Sequence, residues 1–150
     1  MYKLKVSTHK KVSMEINQNF DNSSSTMSFD RGDVFSDKCP SREVLSHVTS
    51  RWGVLILVAL KDGQTHRFSE LRRTINGVSE KMLAQTLKHL ELDGFVLRTS
   101  FPVVPPHVEY SLTDLGQQVT EHVAGLSDWI EDNILDILSR RKSEGISERG

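Results

Sequence analysis

Lys81, Gln85 and Lys88 stand four and three residues apart, which puts them on one face of a helix, with His89 beside them and Met82 at the edge. These side chains suit a nucleic acid. A glutamine amide pairs bidentately with an adenine edge, a lysine reaches guanine or a phosphate, and a thioether can lie on a thymine methyl. Ser79, at the start of the same stretch, offers a hydroxyl and unpaired N–H groups to a phosphate oxygen. Arg67, Arg72 and Arg73 cluster with Ser69 on the preceding segment, and Arg98 and His107 flank a Pro-rich stretch further on. The chemistry these residues share is recognition of a polyanion.

Other chemistries find no support. The six histidines (His9, His47, His66, His89, His107, His122) sit at no metal-ligand spacing, and one cysteine cannot build a structural zinc site. No Gly-rich phosphate loop and no nucleophile elbow occur. Asp128, Glu131 and Asp132 beside Trp129 read as the wet side of a helix. The chain is expected to be no enzyme and to need no cofactor.

The elements that would position the basic residues follow from periodicity and punctuation. Pro40 suits a first helical turn, so Ser41–Thr49 reads as a helix carrying Val44, Leu45 and Val48. Val54–Leu60 reads as a mostly buried helix, and His66–Phe68 as a short strand. Ser69 is expected to cap a helix through Ile75 that Gly77 ends, and Ser79 one running to about Asp93. Leu83, Leu87 and Leu90 fall within about 60° of arc on the latter and define its buried face.

Phe95–Ser100 and His107–Leu112 read as strands joined by the stiff loop Phe101-Pro-Val-Val-Pro-Pro106. Thr113 is expected to cap a last helix through Leu138. Its apolar positions Leu115, Val119, Val123, Leu126, Ile130, Ile134 and Ile137 form one stripe. A three-helix core followed by a hairpin is the winged helix-turn-helix plan, in which the second helix of the pair enters the major groove. The fold class is α+β, mainly α, with a two-stranded wing and terminal dimerisation helices.

Length and charge bound the rest. The 150 residues suit one domain, expected at 39–138, between a polar, flexible leader at 1–38 and a flexible tail at 139–150. The lone Cys39 fits a reducing cytoplasm, and no apolar run approaches the roughly 20 residues that span a bilayer. Nineteen basic against 20 acidic residues argue against a generic polyanion binder. Divided along the chain, however, residues 61–100 carry seven basic against five acidic, and residues 113–150 four against eight. The positive charge lies on the reading module.

Trp52 with Ile56-Leu57 and Leu60, then Arg67-Phe68-x-Glu70-Leu71-Arg72, then Gly77-Val78-Ser79-x-Lys81-x-Leu83 resemble the HxlR-type winged-helix regulators, within the wider MarR-like group. Leu90-Glu91-x-Asp93-Gly94 and Pro102-x-x-Pro105-Pro106-x-Val108-Glu109-Tyr110-x-Leu112-Thr113-x-x-Gly116 extend the resemblance over about residues 39–135. It implies a bacterial-type, cytoplasmic transcription factor that binds double-stranded operator DNA as a homodimer. Protomers would pair through the first and last helices, using Val44, Leu45, Val48, Leu115, Val119, Val123, Leu126, Trp129, Ile130 and Ile134.

Family members often carry Cys-Pro before the first helix, and in some that cysteine senses electrophiles or oxidants. Cys39 is thus either a thiol sensor, activated at a helix N-terminus, or a buried cysteine at the dimer interface. A small-molecule or electrophile effector follows from the first. Val103, Val104 and His107 stand where many relatives carry charged or basic residues, so phosphate contact by the wing should be weak at neutral pH and stronger once His107 is protonated. The alternative function, favoured by the acidic last helix, is a winged-helix module for protein interaction.

Overall fold

The computed structural model describes residues 32–143, and the expectations for residues 1–31 and 144–150 lie outside them. Element order is α1 (Pro40–Thr49), α2 (Arg51–Ala59), β1 (His66–Arg67), α3 (Phe68–Thr74), α4 (Glu80–Leu92), β2 (Val96–Phe101), β3 (His107–Leu112) and α5 (Asp114–Ser143). Ahead of α1, residues 33–38 form turns. The Phe35 N–H donates to Asp33 Oδ1 at 3.0 Å, and Arg42 Nη1 reaches back to the Phe35 carbonyl at 3.3 Å. The end of the expected leader is therefore tied to α1.

Helix starts follow local chemistry closely. Pro40 occupies the first turn of α1, one position before the expected start, because its missing N–H would have no partner there anyway. Ser50 both ends α1 and begins α2, its hydroxyl accepting the Gly53 N–H at 3.0 Å, so α2 starts at Arg51 and includes Trp52. The start of α3 differs from expectation: Phe68, assigned to a strand, is its first residue, and Ser69 lies inside its first turn rather than capping it. Arg67 takes the cap position, and its backbone N–H is satisfied by Glu70 Oε2 at 2.8 Å.

β1 explains that shift. His66 pairs with Tyr110 and Arg67 with Glu109, so the sheet is three-stranded and antiparallel in the order β1-β3-β2, not a bare two-stranded wing. The β2–β3 hairpin runs from Val96↔Leu112 to Phe101↔His107.

The core is built from one face of each helix. Ile56 and Leu57 of α2 and Leu60, which caps its end, meet Leu71 of α3 and Leu83, Leu87 and Leu90 of α4, all 1% exposed or less. Burying each such side chain stabilises the fold by about 1.5–3 kcal/mol. Val96 and Tyr110 bring the sheet to this cluster, and Val48 and Val123 join it from α1 and α5.

α5 begins as expected. The Thr113 hydroxyl accepts the Gly116 N–H at 3.0 Å and donates to the Gly94 carbonyl at 2.6 Å. It continues past Leu138 to Ser143, so residues 139–143 are helical rather than part of a tail, and Arg140, Arg141 and Lys142 sit favourably at the negative end of the helix dipole. The apolar stripe divides in two. Gly116, Thr120, Val123 and Ala124 face the core, while Leu115, Leu126, Trp129, Ile130 and Ile134 are exposed on an adjoining face.

Candidate nucleic-acid interface

α3 and α4 are joined by a tight turn through Ile75, Asn76, Gly77 and Val78. Gly77 has φ +86°, a left-handed conformation a side chain disfavours, and buried Ile75 and Val78 anchor the turn on either side. Ser79 then caps α4 through the Met82 N–H at 3.1 Å. That hydrogen bond uses a lone pair of the hydroxyl and leaves its proton to donate outward.

With Leu83, Thr86, Leu87 and Leu90 buried, α4 turns Lys81, Met82, Gln85 and Lys88 to solvent. Two amines, an amide and a thioether therefore stand on one unobstructed helix face. A neighbouring recess of about 480 Å³ brings together Ser69, Arg72 and Arg73 with Phe68, Asn76 and Glu80. Arg72 Nη1 lies 2.6 Å from Glu80 Oε1 across the turn. Both side chains are well exposed, so this ion pair contributes little to stability. Arg67 and Arg98 are exposed at the strands beside this face.

Two residues expected on this surface are engaged elsewhere. The His89 ring stacks on His47 of α1, centroids 4.6 Å apart and 17° from parallel, because α4 packs its flank against α1. His107 Nε2 bonds Glu109 Oε1 at 2.8 Å, and its ring meets the Phe101 edge, so it braces the loop end of the hairpin rather than reaching outward. The His107 hydrogen bond, more than any other cause, holds the Glu109 carboxyl below its ordinary value of 4.5. Asp62 is lowered similarly, first by the Gln64 N–H and then by His66. Past Phe101, Val103 is half exposed and Val104 fully so, which leaves the wing tip apolar.

Sequence reasoning missed Glu80 as the counter-ion of Arg72, and His47 and Asp93 as a bonded pair at 2.6 Å. Glu80 stands eight residues beyond Arg72, a spacing that carries no signal until the turn is formed. Of the residues expected at a dimer interface, Val48 and Val123 are each 6% exposed and belong to the chain's own core, where they leave no surface for a second copy. Val44 and Val119 are half-buried against that core. Leu45 and the exposed face of α5 remain uncovered.

Cys39 is a free, half-buried thiol at the cap position of α1. It lines a recess of about 380 Å³ with Asp37, Lys38, Arg42, Glu43 and Ser46. Residue 32 passes so close that a Cβ there would come within 2.5 Å of Sγ. Among the described residues no group of His, Cys, Asp and Glu could hold a metal ion, and no helix is long and apolar enough to cross a membrane.

A tri-helical core, an α3–turn–α4 pair with a polar outer face and a β-hairpin define a winged helix-turn-helix transcriptional regulator. The chain belongs to the HxlR-like helix-turn-helix family, whose model matches residues 47–137. It is 69% identical over 110 residues to the HTH-type transcriptional regulator YtfH of Escherichia coli (strain K12), covering 73% of this chain and 86% of that one. The solved structure of the transcriptional regulator ytfH from Salmonella typhimurium superposes with a TM-score of 0.71 at 68% identity, over 74% of this chain and 98% of that one. The redox regulator HypR in its reduced form superposes with a TM-score of 0.60 at 35% identity, over 67% and 98%. These relatives are regulators, not enzymes.

Proposed function

We propose that the chain binds a pseudo-palindromic operator in double-stranded DNA as a homodimer, with α4 in the major groove. One observation carries this reading: α4 buries Leu83, Leu87 and Leu90 while presenting Lys81, Met82, Gln85 and Lys88 beside the Arg72–Arg73 recess. Gln85 reads an adenine edge, and Lys81, Arg72, Arg73 and Ser79 position the helix on phosphates. Lys88, Arg67, Ser69 and Arg98 extend the basic surface.

The second copy covers the exposed face of α5. Trp129 is 57% exposed and Leu126 53%, beside exposed Ile130 and Ile134, an apolar strip along one face of the helix of the kind that marks an interaction surface. Leu45 of α1 adds to it. Two reading helices then meet half-sites about 10 bp apart or a multiple of that.

Selection of bound sequences from a random DNA pool tests the reading. Enrichment of a two-fold-related motif is expected, and Gln85→Ala should relax preference at one position of each half-site by about 1–3 kcal/mol. Sedimentation at micromolar concentration should show a dimer that Ile130→Glu dissociates. A pool without enrichment, together with capture of a protein partner, would point instead to an interaction module.

We propose further that the free, half-buried thiol of Cys39, at the start of α1 and lining a recess with Lys38 and Arg42, is the site through which an oxidant or electrophile acts. The redox role carried in the name of HypR supports this reading. A quinone or aldehyde should weaken operator binding by wild type and leave Cys39→Ser unaffected. Equal responses would exclude Cys39 as the switch.

A further inference from the structure

His47 and His89 do more than join two helices. Behind the pair, His47 Nδ1 lies 2.6 Å from Asp93 Oδ2, at the end of α4. In front of it is a cavity of about 140 Å³ whose walls include Trp52 as well as Met82 and Gln85 of the reading face. Asp93 does not line this cavity, nor does any other carboxylate.

The donors in its wall can be counted. The hydroxyls of Ser46, Ser50 and Thr86 spend their protons on the backbone carbonyls of Glu43, His47 and Met82, at 2.7, 2.9 and 2.7 Å. What remains to meet a ligand is the Gln85 amide, the indole of Trp52, His47 Nε2 and the His89 ring. His89 has no hydrogen-bond partner among the described residues. Asp93, which caps the end of α4, is the carboxylate bonded to the pair, and Arg51 of α2 holds its guanidinium 5.6 Å from the centroid of the Trp52 ring that lines the cavity.

We propose that His47 and His89 form an oxyanion pocket that receives a DNA backbone phosphate beside the bases faced by Gln85, and that binding takes up a proton. The inference rests on α4 being the reading helix. Its chemistry follows from the imidazoles. A carboxylate only accepts, so Nδ1 of His47 carries the proton given to Asp93. In the neutral ring Nε2 is then an acceptor and repels an oxyanion. Protonation makes Nε2 a donor, and the Asp93 carboxylate balances the new charge. A second proton on His89 is opposed by the stacked imidazolium and favoured by the phosphate. Phosphate and proton therefore bind together, and acidification tightens the complex. A free phosphate ion shares this chemistry, but Met82 and Gln85 of the reading face line the cavity, and a duplex on that face would bring a backbone phosphate to it.

Affinity of the full chain for its selected operator, measured at constant ionic strength from pH 8 to pH 6, tests this. Wild type should bind on the order of tenfold more tightly at pH 6, within the roughly hundredfold that one fully linked proton would give over two pH units. His47→Gln and His89→Gln should each lose most of that rise, whereas His107→Gln should keep it. The His89 side chain makes no hydrogen bond among the described residues, so His89→Gln remains informative even if His47→Gln unfolds. A wild-type pH slope in both variants would overturn the proposal.

An NMR titration of the free protein with inorganic phosphate gives a second readout. The His47 and His89 imidazole resonances should shift, and absence of a shift at pH 6 would overturn the pocket itself. Shifts accompanied by a pH-independent operator affinity would assign the pocket to a free ion and overturn its role on DNA. If no DNA is bound at all, the reading of α4 fails while the phosphate titration still judges the pocket.

Discussion

Gly116→Ala should lower the free energy of unfolding by about 3 kcal/mol, read by urea denaturation. Gly116 is the third residue of α5, buried where the helix leaves the sheet, and a Cβ there would overlap the Phe95 carbonyl. The overlapped atoms are backbone, so no rotamer change relieves the clash. Phe95 is also held from two sides, its N–H donating to the Leu90 carbonyl at 2.9 Å and its carbonyl accepting from Thr113 N at 3.0 Å. Relief therefore requires α5 to shift away from the sheet, which loosens Val123 and Ala124 in the core. Gly125 of the same helix is the internal control. Nothing lies within 4 Å of a Cβ there, so Gly125→Ala should stabilise by about 1 kcal/mol through helix propensity alone. Opposite signs in one helix would separate close packing from intrinsic preference.

Replacing Arg72 and Arg73 together by alanine should weaken binding to all DNA sequences on the order of 50-fold near 0.1 M salt. The slope of log affinity against log salt should become shallower by about 1.8, since each phosphate contact contributes about 0.9. An unchanged slope would mean that these arginines do not touch the backbone. Arg72 begins from the exposed ion pair with Glu80, which it must exchange for a phosphate. Glu80→Gln should therefore raise affinity a few-fold without altering sequence preference, because the guanidinium no longer leaves a partner and one repelling charge is gone.

The elements of the winged helix were legible because each is marked by local chemistry. Proline opens α1, serine caps α4, threonine caps α5, and glycines with positive φ close the turns after α2, α3 and α4. The outer face of α4 was legible for the same reason: three leucines at helical spacing define which side is buried and hence which side is not. Where expectation failed, a distant partner decided. Arg67 pairs with Glu109 some forty residues on, and that register turns Phe68 from a strand residue into the start of α3. His89 follows the helical period of the polar face, yet α1 covers it. His107 is claimed by Glu109, its neighbour but one on β3, whose carboxylate no spacing rule flags.

The last helix shows the division most clearly. Its apolar stripe and its start at Thr113 depend only on residue type and the 3.6-residue period, and both can be read along the chain. Which of those residues belong to this chain's core and which stay exposed depends on where α2 and the sheet lie against α5. The close approach at Gly116 sets that, because only a residue without a Cβ lets the helix backbone reach the Phe95 carbonyl. Sequence alone determined a helix with one leucine face and one polar face on a winged scaffold. The tertiary structure alone decided that Val123 is spent on the core, that Trp129 is left exposed, and that His47 and His89 stack beside the polar face of α4. Burial and stacking are relations between segments brought together only by the fold.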